Sequence, residues 1–280
     1  MKDIVAYCGV PGSYAEEAAL SYFGEAAKLI TSGSFAGAFE ALKQQKANYA
    51  VVPLENSSTG AIAAVYDLLG QYGFSIVGEC PIEINHCLLA RSGTKLEDIT
   101  EVFSHEQGLF QSRDFLAEHP DWKQTALYNT AAAAKMVSEG DNPHWAAIAS
   151  RRSADIYHLN ILAEKTNFKD QNQTRFVVVA PKVIHSPENN KVSLAFTLPH
   201  VSGSLYRILG IFAREKLNLL KIESRPIANK NWEYLFFLDF TAETIDSRIE
   251  GILKEISKAS QTLKILGYYK NAIGVERDGE

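Results

Sequence analysis

Residues 49–60 read YAVVPLENSSTG, an apolar run that passes directly into small and polar residues. The apolar part, residues 49–53, has the length and the β-branched content of a buried strand. A helix is predicted next, because apolar residues recur at helical spacing between Ile62 and Leu69. A strand that ends in polar residues and leads into a helix is the repeating unit of α/β sheets, where ligands bind beyond the strand ends.

The same alternation of short apolar strands with amphipathic helices extends from residue 3 to about residue 180 and predicts parallel α/β layers. Small, capping and turn-forming residues separate the segments. Strands are predicted at residues 4–8, 28–31, 49–53, 74–77, 82–90, 101–104, 125–128, 145–149 and 175–180. Helices are predicted at residues 13–23, 35–46, 62–69, 107–116, 130–137 and around 154–157.

A linker is predicted at residues 181–191 (PKVIHSPENNK), which contain two prolines and lack periodicity. Beyond it the order of elements changes to strand, helix, strand, strand, helix, strand. The segments are residues 192–198, 203–217, 219–227, 233–240, 245–259 and 262–269. This βαββαβ order is typical of a ferredoxin-like α+β domain.

The composition is that of an ordinary globular protein. The chain has 280 residues, of which 46% are hydrophobic and 22% are charged, which is enough for two folded units. Because the formal net charge is −5 and the 28 Lys and Arg residues are scattered, nucleic acid is not an expected partner. The first residues lack a secretory signal and no apolar run reaches the roughly 18 residues of a membrane span. We therefore expect a cytoplasmic protein with no membrane partner.

No metal site is expected from the sequence. Cys8, Cys80 and Cys87 include no Cys-x-x-Cys pair, which argues against a disulfide framework or a thiolate metal site. Glu83 and His86 lie three apart on a predicted strand and would therefore face opposite sides. Nucleotide-binding glycine motifs and the His-Glu-x-x-His zinc motif are also missing.

Polar clusters stand at four predicted strand ends: residues 9–13, 55–60, 104–107 and 172–176. The first three each precede a helix, so free backbone N–H groups and positive helix ends would point into one region. Such a region favours an anion. The alternative is that each cluster only caps its helix, as residues 129–131 and 150–151 also would.

Six short motifs, in the order of the chain, resemble those of the prephenate dehydratase family: GVPGSY (9–14), VPLENSSTG (52–60), SHEQ (104–107), NQTRF (172–176), GSLY (203–206) and ESRP (223–226). The last two resemble the phenylalanine-binding motifs of the ACT domain in these enzymes. The similarity covers essentially the whole chain. Glu106 is a departure, because the family often has proline there, and the shape and charge of that loop are therefore expected to differ.

The resemblance implies a two-lobed α/β catalytic unit of the type 2 periplasmic-binding-protein-like fold at residues 1–182. Lobe one would contain residues 1–80 and 160–182, and lobe two residues 81–159. The chain would cross between the lobes near residues 79–83 and again near 159–166. An α+β ferredoxin-like ACT regulatory domain would follow at residues 191–270.

The implied activity is that of a carbon–oxygen lyase that converts prephenate to phenylpyruvate, with loss of water and carbon dioxide, in phenylalanine biosynthesis. The resemblance implies no cofactor, allosteric inhibition by L-phenylalanine, and a homo-oligomer, either a dimer or a tetramer. No fused chorismate mutase segment is expected, because the first strand starts at once.

The resemblance assigns site residues in three groups. Thr174 would donate a hydrogen bond to the leaving hydroxyl. The other catalytic residues would be Glu55, which orients donors, and Asn56, Ser57, Ser104 and Gln111. Substrate would be bound by Arg175, Phe176, Asn172, Gly12, Ser13 and Thr59. L-Phenylalanine would be bound by Gly203, Ser204, Leu205, Asn218, Leu219, Glu223 and Ser224.

Two points stay open at this stage. Since alternate residues of a strand face opposite sides, Arg175 either binds a substrate carboxylate or braces the loop from behind Thr174. The site also requires the side chains of Thr174, Asn56 and Ser104 to share one bound molecule. Other functions compatible with the sequence are arogenate dehydratase activity and a non-catalytic sensor of small carboxylates.

Overall fold

The computed structural model describes residues 2–167, 172–227 and 233–272. The chain packs as two units, of which the first contains Met1–Leu68 and Cys80–Phe176. The second contains Leu69–Glu79 and Val177–Glu280.

The elements before the predicted linker alternate between strands and helices as expected. In chain order they are β1 (Ile4–Cys8), α1 (Tyr14–Phe23), β2 (Lys28–Ser32), α2 (Phe35–Lys43), β3 (Tyr49–Asn56), β4 (Gly60–Ala61), α3 (Ala63–Tyr72), β5 (Ser75–Glu83), β6 (His86–Ala90), β7 (Glu101–His105), α4 (Glu106–Gln111), α5 (Arg113–Ala117), β8 (Lys123–Leu127), α6 (Thr130–Glu139), β9 (Trp145–Ser150), α7 (Arg151–Tyr157), β10 (Asn160–Ala163) and β11 (Gln173–Ala180).

The first unit contains two sheets that differ in strand direction. In the first sheet β1 pairs in parallel with β2 and β3, as predicted, and β11 lies next to β3. The second sheet has the order β10-β6-β9-β7-β8. In it β7 is parallel to its neighbours, but β6 is antiparallel to β9 and β10, so the prediction of parallel layers is wrong there. Apolar periodicity distinguishes a strand from a helix but carries no information about strand direction.

Several boundaries differ from the sequence prediction. The strands predicted at residues 74–77 and 82–90 are instead β5 and β6, divided after Glu83. The predicted helix 107–116 is broken at the buried Ser112, whose hydroxyl is 3.0 Å from that of Thr166. Residues 160–163 form β10 beside β6 in the second sheet, whereas the family resemblance implied that they belong to lobe one.

The second unit confirms the predicted βαββαβ order. Its elements are β12 (Lys191–Thr197), α8 (Ser204–Arg214), β13 (Asn218–Pro226), β14 (Tyr234–Thr241), α9 (Ser247–Ala259) and β15 (Thr262–Tyr269). The antiparallel strands follow the order β13-β14-β12-β15, and one core cluster holds buried apolar residues of both helices, including Ile208 and Ile256.

The start of β12 departs from the predicted linker. Lys191, the last linker residue in the sequence prediction, begins the strand, and its side chain is only 1% exposed. Its ammonium group lies 2.8 Å from the Glu79 carboxylate. A buried lysine is tolerated here because it is paired, and the pairing partner 112 residues away is not visible in the local sequence.

Candidate active site

A cavity of about 460 Å³ lies in the first unit, and most of the predicted polar clusters meet at it. Its lining includes residues from the starts of several helices, from the end of β3 and from the start of β11. The predicted site residues on it are Ser13, Asn56, Thr59, Gln111, Thr174 and Phe176. Within the described residues, none that lines the cavity is Lys, Arg, Asp or Glu.

Asn56 is the centre of the polar cluster on this lining. Its Oδ1 accepts from the Ser58 backbone N–H (2.9 Å), and its Nδ2 donates to Thr174 Oγ1 (2.9 Å) and Asn172 Oδ1 (2.8 Å). The side chains meet although 118 residues separate Asn56 from Thr174, because β3 and β11 are neighbours in the sheet. In the described part of the chain this is the one hydrogen bond of the Thr174 side chain, and Thr174 accepts it. The Thr174 hydroxyl proton therefore remains available to a bound molecule.

The cluster continues through Gln111 at the end of α4 and His86 at the start of β6. Gln111 Nε2 donates to Ser58 Oγ (3.2 Å), and Gln111 Oε1 lies 2.9 Å from His86 Nε2. The Tyr14 hydroxyl is 3.1 Å from His86 Nδ1 and donates to the Asn85 carbonyl at 2.8 Å. The cluster therefore joins five segments that lie far apart in the chain.

Burial keeps the ionisable groups of this cluster neutral. It lowers the pKa of His86 from 6.5 to about 4, against a smaller raising effect of the hydrogen bond with Gln111. Burial also raises the pKa of Tyr14 well above 10, with the nearby Glu17 charge adding to the effect. At neutral pH the ring and the phenol are both uncharged.

Helix N-termini supply the positive potential of the cavity. The lining includes the first residues of α1, α2 and α6, namely Tyr14, Phe35 and Thr130. Ser13 caps α1 by accepting from Glu16 N, and Asn129 caps α6 by accepting from Ala131 N. The remaining first-turn N–H groups and the helix dipoles favour an anion at this position.

Two buried amide donors near the cluster lack a protein partner. Within the described residues, Gln107 Nε2 and Asn172 Nδ2 make no hydrogen bond. Gln107 lines the cavity, and the Asn172 side chain is hydrogen-bonded to Asn56. Because a buried N–H without an acceptor is costly, these donors are available to an oxygen atom of a ligand or of water.

Arg175 and Glu55 do not line the cavity in the described structure. The Arg175 side chain is 4% exposed, and its guanidinium lies 3.2 Å from the Glu55 carboxylate. Strand alternation directs Thr174 and Phe176 to the cavity and Arg175 to the opposite side. Of the two roles left open by the sequence, this contact favours bracing of the β3–β11 pair.

Ser104 does not join Asn56 and Thr174 at the cavity, contrary to the expectation that all three share one molecule. It is fully buried, and its hydroxyl donates to the Ile148 carbonyl at 2.6 Å. A Cβ on Gly108 would lie 2.5 Å from Ser104 Oγ, so Ser104 and Gly108 set the close approach of α4 to β7. Asn56 and Thr174 alone of the three are in contact.

Ser57 and Gly12 also make contacts inside the protein. Ser57 Oγ accepts from the Gln173 backbone N–H at 3.0 Å. Gly12 has a φ of +85°, which favours glycine, and its carbonyl accepts from Ser150 and Ser153. Both residues hold the loops that carry their neighbours Ser58 and Ser13.

Sequence reasoning missed His86, Tyr14, Gln107 and Ser58 as site residues. Tyr14, Gln107 and Ser58 lie inside motifs that were recognised, close in sequence to residues that were predicted to be site residues. This proximity could have identified them. His86 was considered only as a metal ligand on a predicted strand. Its partners come from residues far away in the chain, and no local pattern indicates them.

The residues predicted to bind L-phenylalanine fall into two groups in the second unit. Gly203 has a φ of +81° and caps α8, and Ser204 and Leu205 line a second cavity of about 300 Å³. The other group, Asn218, Leu219, Glu223 and Ser224, lies on β13 and is not part of that lining in the described structure. Glu223 pairs with Lys221 at 3.1 Å.

The described residues contain no helix that is long and apolar enough to span a membrane. They also contain no cluster of three or more His, Cys, Asp or Glu side chains arranged to hold a metal ion.

Comparison with known proteins assigns the family. The "Prephenate dehydratase" family matches residues 5–183, and the "ACT domain" family matches residues 192–259. The bifunctional chorismate mutase/prephenate dehydratase of Escherichia coli K12 is 37% identical over 279 residues, covering 97% of this chain and 72% of that protein. Arogenate dehydratase/prephenate dehydratase 2 of Arabidopsis thaliana is 36% identical over 276 residues, covering 95% and 72%.

A solved structure agrees with these matches. The prephenate dehydratase of Arthrobacter aurescens, in complex with L-Phe, superposes with a TM-score of 0.86 at 30% identity, covering 96% of this chain and 90% of that one. The chain therefore belongs to the prephenate dehydratase family and carries an ACT domain.

Proposed function

We propose that this protein converts prephenate to phenylpyruvate, with loss of water and carbon dioxide. The observation that carries the proposal is the Thr174 hydroxyl, which accepts a hydrogen bond from Asn56 and keeps its own proton for a molecule in the cavity. Family membership supports the substrate class, and the contact between Asn56 and Thr174 supports Thr174 as the donor.

Prephenate carries a carboxylate on a quaternary ring carbon and a hydroxyl across the ring. When the bond to the carboxylate breaks, its electron pair moves through the ring, the carbon–oxygen bond breaks, and an aromatic ring results. The hydroxide leaves as water after taking up one proton, which comes ultimately from solvent. A donor placed at the departing oxygen lowers the barrier, because negative charge develops there only in the transition state.

The cavity suits a dianion without a buried cation. Helix starts at α1, α2 and α6 and the unpaired Gln107 amide offer donors, and no carboxylate repels the ligand within the described lining. Phe176 and Ile62 provide apolar contact for the ring. Neutral donors that are fixed before binding need little reorganisation during the reaction.

We assign control by L-phenylalanine to the ACT domain and propose that this control is feedback inhibition. We propose that the active form is a cytoplasmic homo-oligomer, either a dimer or a tetramer. The relative from Arthrobacter aurescens binds L-Phe, which supports the ligand. The two predicted phenylalanine-binding groups do not surround one cavity in the described single chain, and β13 is an edge strand there. Both facts favour a site completed by a second copy. Inhibition requires that L-phenylalanine bind two conformations with different affinities.

The test is turnover of prephenate and arogenate side by side, with and without L-phenylalanine. We expect phenylpyruvate from prephenate, inhibition by L-phenylalanine, and a kcat about 1,000-fold lower in Thr174→Ala. Thr174→Ser is the matched control, because it keeps the hydroxyl. Preference for arogenate would reassign the substrate, as the Arabidopsis relative's name allows. No product from either substrate would instead favour a carboxylate sensor.

A further inference from the structure

Two glutamines lie one helical turn apart on α4, and the structure uses their side chains differently. Because residues four apart share a face of a helix, Gln107 and Gln111 both line the cavity. Gln111 has both ends of its amide engaged: Nε2 donates to Ser58 Oγ at 3.2 Å, and Oε1 lies 2.9 Å from His86 Nε2. Gln107 Nε2 is buried and makes no hydrogen bond in the described part of the chain. Gln107 therefore brings to the cavity a donor that no described protein group uses.

The backbone that carries Gln107 is fixed before any ligand binds. Its N–H donates to His105 Nδ1 at 3.1 Å. The next residue, Gly108, is so close to its neighbours that a Cβ there would lie 2.5 Å from Ser104 Oγ and 3.2 Å from Thr130 Cγ2. This turn of α4 is therefore held against β7 and the start of α6. A donor on a backbone that is already fixed loses little freedom when it binds a ligand.

Prephenate offers this donor two carboxylates. One is attached directly to the quaternary ring carbon and leaves as carbon dioxide, whereas the other ends the side chain and remains in phenylpyruvate. Both branch from the ring carbon across from the hydroxyl, which Thr174 serves in the proposed function. A hydrogen bond to either carboxylate is charge-assisted and therefore stronger than one to the neighbouring ketone.

The course of the reaction distinguishes the two carboxylates. The ring carboxylate loses its negative charge as its bond to the ring breaks, so a hydrogen bond to it weakens toward the transition state and raises the barrier. The side-chain carboxylate keeps its charge throughout. A hydrogen bond to the side-chain carboxylate therefore strengthens substrate binding without slowing the reaction.

The cavity also has an apolar part that suits the carboxylate that leaves. Ile62, Ile84 and Phe176 line it, and no Lys or Arg lines it in the described structure. Phe176 lies two residues from Thr174 on the same face of β11, so this apolar surface is next to the Thr174 hydroxyl. A carboxylate against apolar side chains is poorly solvated, which favours its conversion to neutral carbon dioxide.

We propose that Gln107 is a substrate-binding residue whose Nε2 donates to the side-chain carboxylate of prephenate, the carboxylate that phenylpyruvate retains. The inference rests on the proposed function for the identity of the substrate. It can be tested without turnover, because phenylpyruvate keeps this carboxylate and lacks both the ring carboxylate and the hydroxyl.

The test compares Gln107→Leu with the wild type by calorimetric titration of phenylpyruvate and by steady-state kinetics with prephenate. Gln107→Leu removes a hydrogen bond to a charged group. We therefore expect the Kd of phenylpyruvate and the KM of prephenate to rise together, by about 30-fold, with kcat within about threefold of wild type. An unchanged Kd of phenylpyruvate overturns the proposal. If KM and kcat of prephenate then both rise, Gln107 binds the leaving carboxylate instead.

Gln107→Glu keeps the shape of the side chain and tests the direction of the hydrogen bond. It replaces the donor by an acceptor whose charge repels a carboxylate, so the Kd of phenylpyruvate should rise more than in Gln107→Leu. It also provides the measurement if Gln107→Leu does not fold. Wild-type affinity in Gln107→Glu would mean that the buried amide atom of Gln107 is an acceptor, and would overturn the proposal.

Glu106→Gln is the matched control, because Glu106 is exposed on the same turn of α4 and does not line the cavity in the described structure. Its Kd and KM should stay within about twofold of wild type. A loss of affinity as large as that of Gln107→Leu would show that any change in this turn disturbs the site, which contradicts a specific contact.

The proposed function and this inference can fail separately. A wild-type protein that binds phenylpyruvate, loses affinity in Gln107→Leu and forms no product from prephenate refutes the proposed function and retains the carboxylate contact. Turnover of prephenate together with unchanged binding of phenylpyruvate in Gln107→Leu refutes the contact alone.

Discussion

Two buried polar centres of this protein are built in opposite ways. Around Asn56, neutral groups share hydrogen bonds and open onto a cavity, with the Thr174 proton still available. In the second unit, Lys191 Nζ contacts both oxygens of Glu79 at 3.0 and 2.8 Å, and the two side chains are 1% and 0% exposed. The first centre keeps donors for a ligand, and the second satisfies its charges internally. Changes in the first should therefore alter rate, and changes in the second should alter stability.

The largest expected effect comes from adding a charge to the neutral centre. Asn56→Asp is nearly isosteric but replaces the amide that donates to Thr174 by an acceptor, and its carboxylate would repel a dianion. We expect kcat/KM for prephenate to fall about 1,000-fold, with a much smaller change in the urea midpoint. Steady-state kinetics and urea unfolding measure the two quantities. Near-normal turnover in Asn56→Asp would remove Asn56 from the site.

The converse change removes a charge from the closed centre. Glu79→Gln leaves the Lys191 ammonium buried without its counter-charge, and we expect a loss of about 3 kcal/mol in the free energy of unfolding. Turnover of the folded protein should stay within about twofold of wild type, because neither residue lines the catalytic cavity in the described structure. The double variant Glu79→Gln, Lys191→Met is the control and should recover most of the loss. A stable Glu79→Gln protein would show that the pair is not a stabilising element.

The smallest expected effect is the pH dependence that His86 contributes to stability. Its pKa is about 4 in the folded protein and 6.5 in the unfolded chain, so between these values only the unfolded chain binds the proton. Stability should therefore fall as the pH drops from 6.5 to 4, by at most about 3 kcal/mol, and this contribution should be constant above pH 6.5.

The comparison protein for this measurement is His86→Gln, which cannot titrate. As the pH falls from 6.5 to 4, the unfolding free energy of the wild type should decrease relative to that of His86→Gln. If the two pH curves are parallel, the pKa of His86 is not lowered in the folded protein. The ring would then be hydrated there or would contact a group that stabilises its charged form.

The sequence was most informative where local pattern and structure coincide. The alternation of strands and helices and the βαββαβ order of the second unit follow from periodicity. Strand alternation also directed Thr174 and Phe176 to one face and Arg175 to the other. The sequence could not choose between two roles for Arg175, because that choice depends on its contact with Glu55, 120 residues away.

The resemblance selected Asn56, Gln111 and Thr174, and the structure brings all three to the cavity. It also selected Ser104 and Ser57, whose hydroxyl groups the structure uses within the protein. A motif shows that a serine recurs at a given position in a family. The hydrogen-bond partner of that serine hydroxyl depends on which strand lies beside the serine in the folded protein. For Ser104 that neighbour is β9, which the sequence order of strands does not reveal.

By itself the sequence determined most of the strands and helices, their faces, the four polar loops and the family that they resemble, because burial and cap formation act over a few residues. Only the tertiary structure decided that His86 meets Tyr14 and Gln111, that Lys191 is buried against Glu79, and that Arg175 faces away from the cavity. Hydrogen bonds and ion pairs need atoms within about 3 Å. Strand order and direction, which bring residues from distant parts of the chain to that distance, leave no trace in local periodicity.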